Sequence, residues 1–88
     1  MEVKIKKISD EKIKEKDIKS WPIWECSPSE FDWYYDEEEH CYILEGKVIV
    51  KTDNGEYEIK SGDYVIFPKG LKCRWIVKEK IRKHYNFF

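Results

Sequence analysis

Two pairs of residues in this 88-residue chain combine reactive chemistry with strand spacing. Glu39 and Cys41 stand two apart, as do Cys73 and Trp75, so on extended backbone each pair shares one face. A carboxylate beside a thiol can move protons. Held out of water it needs a partner or a raised pKa, and such groups concentrate at working sites. Cys41 or Cys73 could be a nucleophile if a base stood close and the thiol pKa were depressed. His84 is the only imidazole suited to that task, and a surface histidine beside Tyr85 is the simpler reading. Glu39, Cys41 and Cys73 could hold Zn²⁺ with water as a fourth ligand, but Glu-Cys-Cys is an unusual set and no Cys-x-x-Cys spacing supports it. Each candidate also has an ordinary reading. Free cysteine is among the most buried residues and packs as a small hydrophobe, and Glu39 could be a solvated turn residue like Glu37 and Glu38.

These side chains must be positioned by short strands. Val3–Lys7 alternates apolar and charged residues, which predicts a half-buried strand. Ser9 is a good N-cap for a helix near Asp10–Lys16, with Ile8 and Ile13 placed as a hydrophobic staple. Residues 1–19 thus carry a strand and a short helix, and residues 20–88 read as β structure. Strands are predicted near Phe31–Tyr35, Glu39–Leu44, Lys47–Thr52, Glu56–Lys60, Tyr64–Phe67, Cys73–Lys78 and Ile81–Phe87. Seven or eight short strands without intervening helices indicate an all-β sandwich or barrel. Asn54-Gly55 suits the centre of a type I′ turn, which would set Val50 opposite Ile59 and Lys51 opposite Glu58.

Composition bounds the rest. The length allows one domain, and 14 aromatic residues compensate for the small core such a chain can build. With 17 basic and 18 acidic residues, the charge is balanced and spread out, unlike the basic patches that bind nucleic acid or anionic membranes. No apolar run is long enough for a signal or a membrane span. Three cysteines cannot all pair within one chain and suit a reducing cytoplasm. Abundant Lys and Glu with no Gln follows the compositional trend of hyperthermophile proteins.

Two stretches carry a family pattern: Glu39-His40-Cys41-Tyr42-Ile43-Leu44-Glu45-Gly46 and Gly62-Asp63-Tyr64-Val65-Ile66-Phe67-Pro68-Lys69-Gly70. Separated by the Asn-Gly hairpin, they resemble the two motifs of the cupin superfamily. Trp24-Glu25-Cys26-Ser27-Pro28, Trp75 and Arg82-Lys83-His84-Tyr85 narrow the resemblance to small single-domain cupins, similar to the ureidoglycine aminohydrolase cupin domain and the ethanolamine-utilisation cupins. The resemblance covers about residues 20–86. It implies a single-domain, jelly-roll-like double-stranded β-barrel, commonly a homodimer.

The departures from the family matter for function. Metal-binding cupins carry His-x-His, then Glu, then a later His, a set suited to manganese, iron or nickel. Here Glu39 fits the Glu position, while Asp32, Trp33, Tyr34 and Tyr35 stand where histidines would be and Cys73 falls at the last one. His40 adjoins Glu39 and so points to the other face. The resemblance therefore implies a pocket without a metal or other cofactor, in which Glu39 has Cys41 and Cys73 beside it and Tyr34, Trp75 and Phe67 for a wall. Arg82 and Lys83 could present charge to an anionic substrate, although a solvated face is the default for any lysine here. The resulting expectation is a cytoplasmic, homodimeric cupin that binds a small polar metabolite. The alternative is an enzyme acting on a small nitrogen- or carbonyl-containing compound, with Glu39 as acid/base beside Cys73 or Cys41.

Overall fold

The computed structural model describes residues 1–88. Its elements are β1 (Lys4–Lys6), α1 (Asp10–Glu15), a 3-10 turn (Ile18–Ser20), β2 (Ile23–Cys26), β3 (Ser29–Tyr34), β4 (Glu39–Thr52), β5 (Gly55–Lys60), β6 (Tyr64–Phe67) and β7 (Lys72–Phe87). The long strands β4 and β7 pair antiparallel over most of their length and form the spine. The first half of β4 takes β6 on its other side and the second half takes β5. Strand β7 likewise takes β3 and then β2. One seven-stranded antiparallel sheet thus folds on itself as the expected all-β, jelly-roll-like fold.

The fold-over happens where the register slips, between Ile43 and Val48. Gly46, at φ +98°, sits in that slip, and a Cβ there would stand 2.1 Å from the Lys80 carbonyl oxygen. Only glycine lets the two backbones approach so closely. Because of this bend, the expected strands Glu39–Leu44 and Lys47–Thr52 are one strand, and Cys73–Lys78 and Ile81–Phe87 are another. Glu45 and Lys78–Lys80 read as breaks in the sequence because they are charged. They are the exposed outer surface of the bend.

The β4–β5 hairpin also differs from expectation. Thr52 pairs with Gly55, so Asp53 and Asn54 form the turn and Val48, not Val50, lies opposite Ile59. Neither Asp53 nor Asn54 takes positive φ, whereas Gly55 does, at +122°. This is a turn followed by a glycine bulge in place of a type I′ turn. The shift is two residues in register, so the buried face is preserved: Val48, Val50 and Ile59 are all in the core. Lys51 meets Glu56 in place of Glu58.

At the N-terminus, the Lys12 amide donates to Ser9 Oγ at 3.2 Å, capping α1 as anticipated. Ile13, Ile18, Trp21 and Tyr64 form a small cluster against the outer face of β6, with Ile8 packed alongside. The first strand is shorter and less buried than the alternation predicts. Val3 enters the main core but Ile5 stays exposed, because β1 is an edge strand that pairs only with β6.

Candidate functional site

Strand parity places the site. Along β4, Glu39, Cys41 and Ile43 point inward and are buried. Along the second half of β7, Ile81 and Lys83 are buried on the same side. Lys83 lies opposite Ile43 in the ladder, and its side chain reaches back to Glu39. Lys83 Nζ donates to Glu39 Oε2 at 2.7 Å, and Cys41 Sγ donates to the same oxygen at 2.9 Å. Lys83 Nζ also lies 3.5 Å from Cys41 Sγ. The ammonium is further enclosed by Trp75, Trp24 and Phe67, whose ring centroids are 4.8, 5.2 and 5.9 Å away.

Burying this charge is costly. An ion taken out of water costs several kcal/mol even after relaxation. A desolvated cation–π contact returns about 2 kcal/mol, so the rings alone do not offset the cost and the carboxylate contact is required. Burial by itself pulls the Lys83 pKa down, and Cys41 and Glu39 more than reverse this, leaving it above the ordinary lysine value. Burial pushes the Cys41 thiol far up, against a partial pull downward from Lys83. Cys73 is pushed up to about 11, chiefly by burial. Tyr35 is raised by burial and then by the nearby Glu39 carboxylate. At neutral pH Lys83, the two thiols and the Tyr35 phenol therefore all keep their protons.

A cavity of about 270 Å³ opens above the ion pair. Its walls are aromatic residues of β2, β3 and β7, Trp24, Trp33, Trp75 and Tyr85 among them, together with Tyr35; Glu39 and Lys83 are its only charged lining residues. The walls brace one another. Phe31 stacks on Trp75 at 6.1 Å, Trp24 meets Trp75 edge-on at 5.8 Å, and Trp75 Nε1 donates to the Tyr35 hydroxyl at 3.2 Å. Glu39 Oε2 takes both donors, and Oε1 has no hydrogen-bond partner within the chain.

The structure brings together Glu39, Cys41 and Trp75. Cys73 is buried, but its thiol points to the Trp33 carbonyl oxygen at 3.7 Å and makes no hydrogen bond to Glu39. Phe67 lies fully buried beneath the site, stacked on Tyr35 at 4.6 Å. Tyr34 is 53% exposed and faces a separate surface hollow with Lys51 and Lys72. Its neighbour Tyr35 stands in the cavity wall instead, because Phe31, Trp33 and Tyr35 share the inward parity. His84 bonds the Trp21 carbonyl through Nδ1, and His40 bonds Tyr64 and Glu38, so both imidazoles are engaged away from the cavity.

Lys83 is the residue that sequence reasoning placed on a solvated face. The available signal was parity, since Ile81, Lys83 and Tyr85 alternate with Arg82 and His84 on one strand. That signal was outweighed by the general exposure of lysine.

The family's metal can be tested against these donors. Of the positions where metal-binding cupins carry their ligands, only Glu39 and Tyr35 bring a ligand oxygen to the cavity; the Tyr35 phenol holds its proton, and one Glu39 oxygen is already bonded to an ammonium. No three His, Cys, Asp or Glu side chains converge anywhere in the chain. The donor set does not fit the metal.

A family model described as the EutQ-like cupin domain matches residues 13–85. Among solved structures, the chain is similar to a DUF861 family protein from Thermotoga maritima, with 62% identity and a TM-score of 0.96 over 99% of this chain and 100% of that one. It is also similar to EutQ of Clostridium difficile, with 26% identity and a TM-score of 0.69 over 75% of this chain and 52% of that one, and so spans about half of that relative's length. A putative ethanolamine utilization protein Q from Salmonella typhimurium shares the fold at 22% identity and a TM-score of 0.70, over 98% of this chain and 68% of that one. None of the curated proteins compared matches the chain. With the family model spanning most of its length and the barrel, the bend at Gly46 and the inward Glu39 all in place, the chain belongs to the EutQ-like cupin family.

Proposed function

We propose that this cupin binds a small polar metabolite in its aromatic cavity, without a histidine-based metal site or other cofactor. The observation that carries the reading is Glu39. A carboxylate with 7% of its side chain exposed, one oxygen paired and the other without a partner at a cavity wall is an acceptor waiting for a donor. Seven apolar lining residues around it supply the buried contact area that small ligands use.

The enzyme reading, with Glu39 as acid/base beside Cys41 or Cys73, draws on the same carboxylate. Both thiols are held protonated and neither histidine faces the cavity, which favours binding over covalent chemistry. A thermal-shift screen of neutral, cationic and anionic metabolites tests the proposal, because a ligand of the folded state raises apparent stability by mass action. At least one compound should raise the melting midpoint of the wild type and do so much less in Glu39→Gln. A screen with no response, or one indifferent to Glu39→Gln, would contradict the reading.

The remaining expectations rest on lesser support. Exposed Ile23, Trp33, Phe87 and Phe88 favour a homodimer, which sedimentation would detect. The balanced charge speaks against nucleic acid and membrane partners. No helix is long and apolar enough to cross a membrane, and three free thiols suit the cytoplasm. The Lys- and Glu-rich composition and the Thermotoga relative favour a thermophilic source.

A further inference from the structure

Lys83 occupies the position where a ligand's positive charge would otherwise sit. A carboxylate and aromatic faces are what recognise an organic ammonium ion, and here Glu39, Trp75 and Trp24 already enclose one. The cation seat is filled from within the chain. An incoming ammonium would meet the like charge of Lys83, and an incoming carboxylate or phosphate would meet the free Oε1 of Glu39. The two formal charges at the cavity cancel each other, and Glu39 Oε1 takes no donor from the chain.

We infer that the cavity selects a neutral single-ring compound that donates an N–H or O–H to Glu39 Oε1, and that Lys83 is the resident cation that excludes organic ammonium ions. This inference rests on the binding reading above and narrows it to a ligand class. The cavity of about 270 Å³ accommodates one ring with a short polar substituent, and its aromatic walls offer faces and edges for that ring. A ligand hydroxyl or amide reaching Oε1 makes a hydrogen bond to a charged group in a buried setting, one of the stronger kinds.

The role assigned to Lys83 can be separated from general desolvation. Lys83→Ala removes three carbons and one nitrogen, the heavy atoms of n-propylammonium, and leaves Glu39 and the rings behind. That variant should regain a cation seat open to solution.

The test has two arms. Trp24, Trp33 and Trp75 line the cavity, so intrinsic fluorescence reports its occupancy. Titrated with benzamide, benzylammonium and benzoate, the wild type should bind benzamide about tenfold or more tighter than either ion. In the second arm, n-propylammonium chloride should raise the melting midpoint of Lys83→Ala, while 1-propanol or sodium chloride at the same concentration should not, and the wild type should be indifferent. If Lys83→Ala does not fold alone, refolding yield with and without n-propylammonium is the readout, with the same two outcomes. Equal binding of benzamide and benzylammonium by the wild type, or a Lys83→Ala variant indifferent to n-propylammonium, would overturn this inference alone. Failure of all three aromatic probes to bind the wild type would likewise overturn this inference, whereas the binding reading falls only if the wider thermal-shift screen also gives no response.

Discussion

Lys83 Nζ and Glu39 Oε2 lie 2.7 Å apart, and the two side chains are only 6% and 7% exposed, so the neighbouring strands β4 and β7 are joined on their inward face by an ion pair shielded from water. Such a pair is weak evidence for stability, since well-packed apolar residues of similar size often do as well. Breaking it from one side is a different matter. Lys83→Met strands a buried carboxylate and should cost about 3–5 kcal/mol, while the double variant Glu39→Gln/Lys83→Met should recover much of that loss. Urea denaturation of the wild type, both single variants and the double variant gives the coupling directly. Additive losses would contradict the pairing.

The barrel should weaken in alkali. Cys41, Cys73, Tyr35 and Lys83 all have raised pKa values, from burial in the first three and from Cys41 and Glu39 overcoming burial at Lys83. The native state therefore keeps protons that the unfolded chain gives up, starting with the thiols near pH ~8.5 and followed by lysine near ~10.4. These contributions are fully present below the unfolded pKa values and are lost as pH rises through the folded ones, so unfolding free energy should fall steadily above pH ~8.5. Cys41→Val should flatten the first part of that decline. Urea titrations at a series of pH values from neutral to alkaline check both statements, and a flat profile in the wild type would contradict them.

Gly46 and Gly55 both take positive φ, but only Gly46 faces backbone, whereas a Cβ on Gly55 meets nothing within 4 Å. Gly55→Ala should therefore show backbone strain alone, about 1–3 kcal/mol. Gly46→Ala adds a collision with Lys80 and Ile81 at the bend and should lose more than ~3 kcal/mol or fail to fold. Similar melting midpoints for the two variants would show that the bend tolerates separation.

The thiols should react in order of burial. Cys26 is half-buried on edge strand β2, Cys73 is buried and Cys41 is fully enclosed. A disulfide reagent should label Cys26 first in the folded protein and reach Cys41 only on unfolding. Rapid labelling of Cys41 in the native state, read by peptide mass, would show that the cavity admits reagents to the thiol.

Local signals in the sequence were sufficient wherever the outcome is local. The Ser9 cap, the alternation that turns Glu39 and Cys41 inward, and the opposite direction of His40 all follow from neighbours within a few residues. The misread features depend on distant partners. Glu45 and Lys78–Lys80 resemble loop residues until β4 and β7 are seen to bend together, and Asn54-Gly55 resembles a type I′ turn until Thr52 pairs with Gly55. Tyr34 and Tyr35 differ only by parity, which depends on where β3 ends. Lys83 is the extreme case. Its burial is affordable only because Glu39, 44 residues away in sequence, and rings from β2, β6 and β7 surround it.

Elemental analysis of protein purified without added metal, for the wild type and Glu39→Gln, tests most directly whether Lys83 is the cation that serves Glu39. The account predicts no stoichiometric first-row metal in either protein. One equivalent of manganese, iron, nickel or zinc in the wild type, lost on Glu39→Gln, would contradict it.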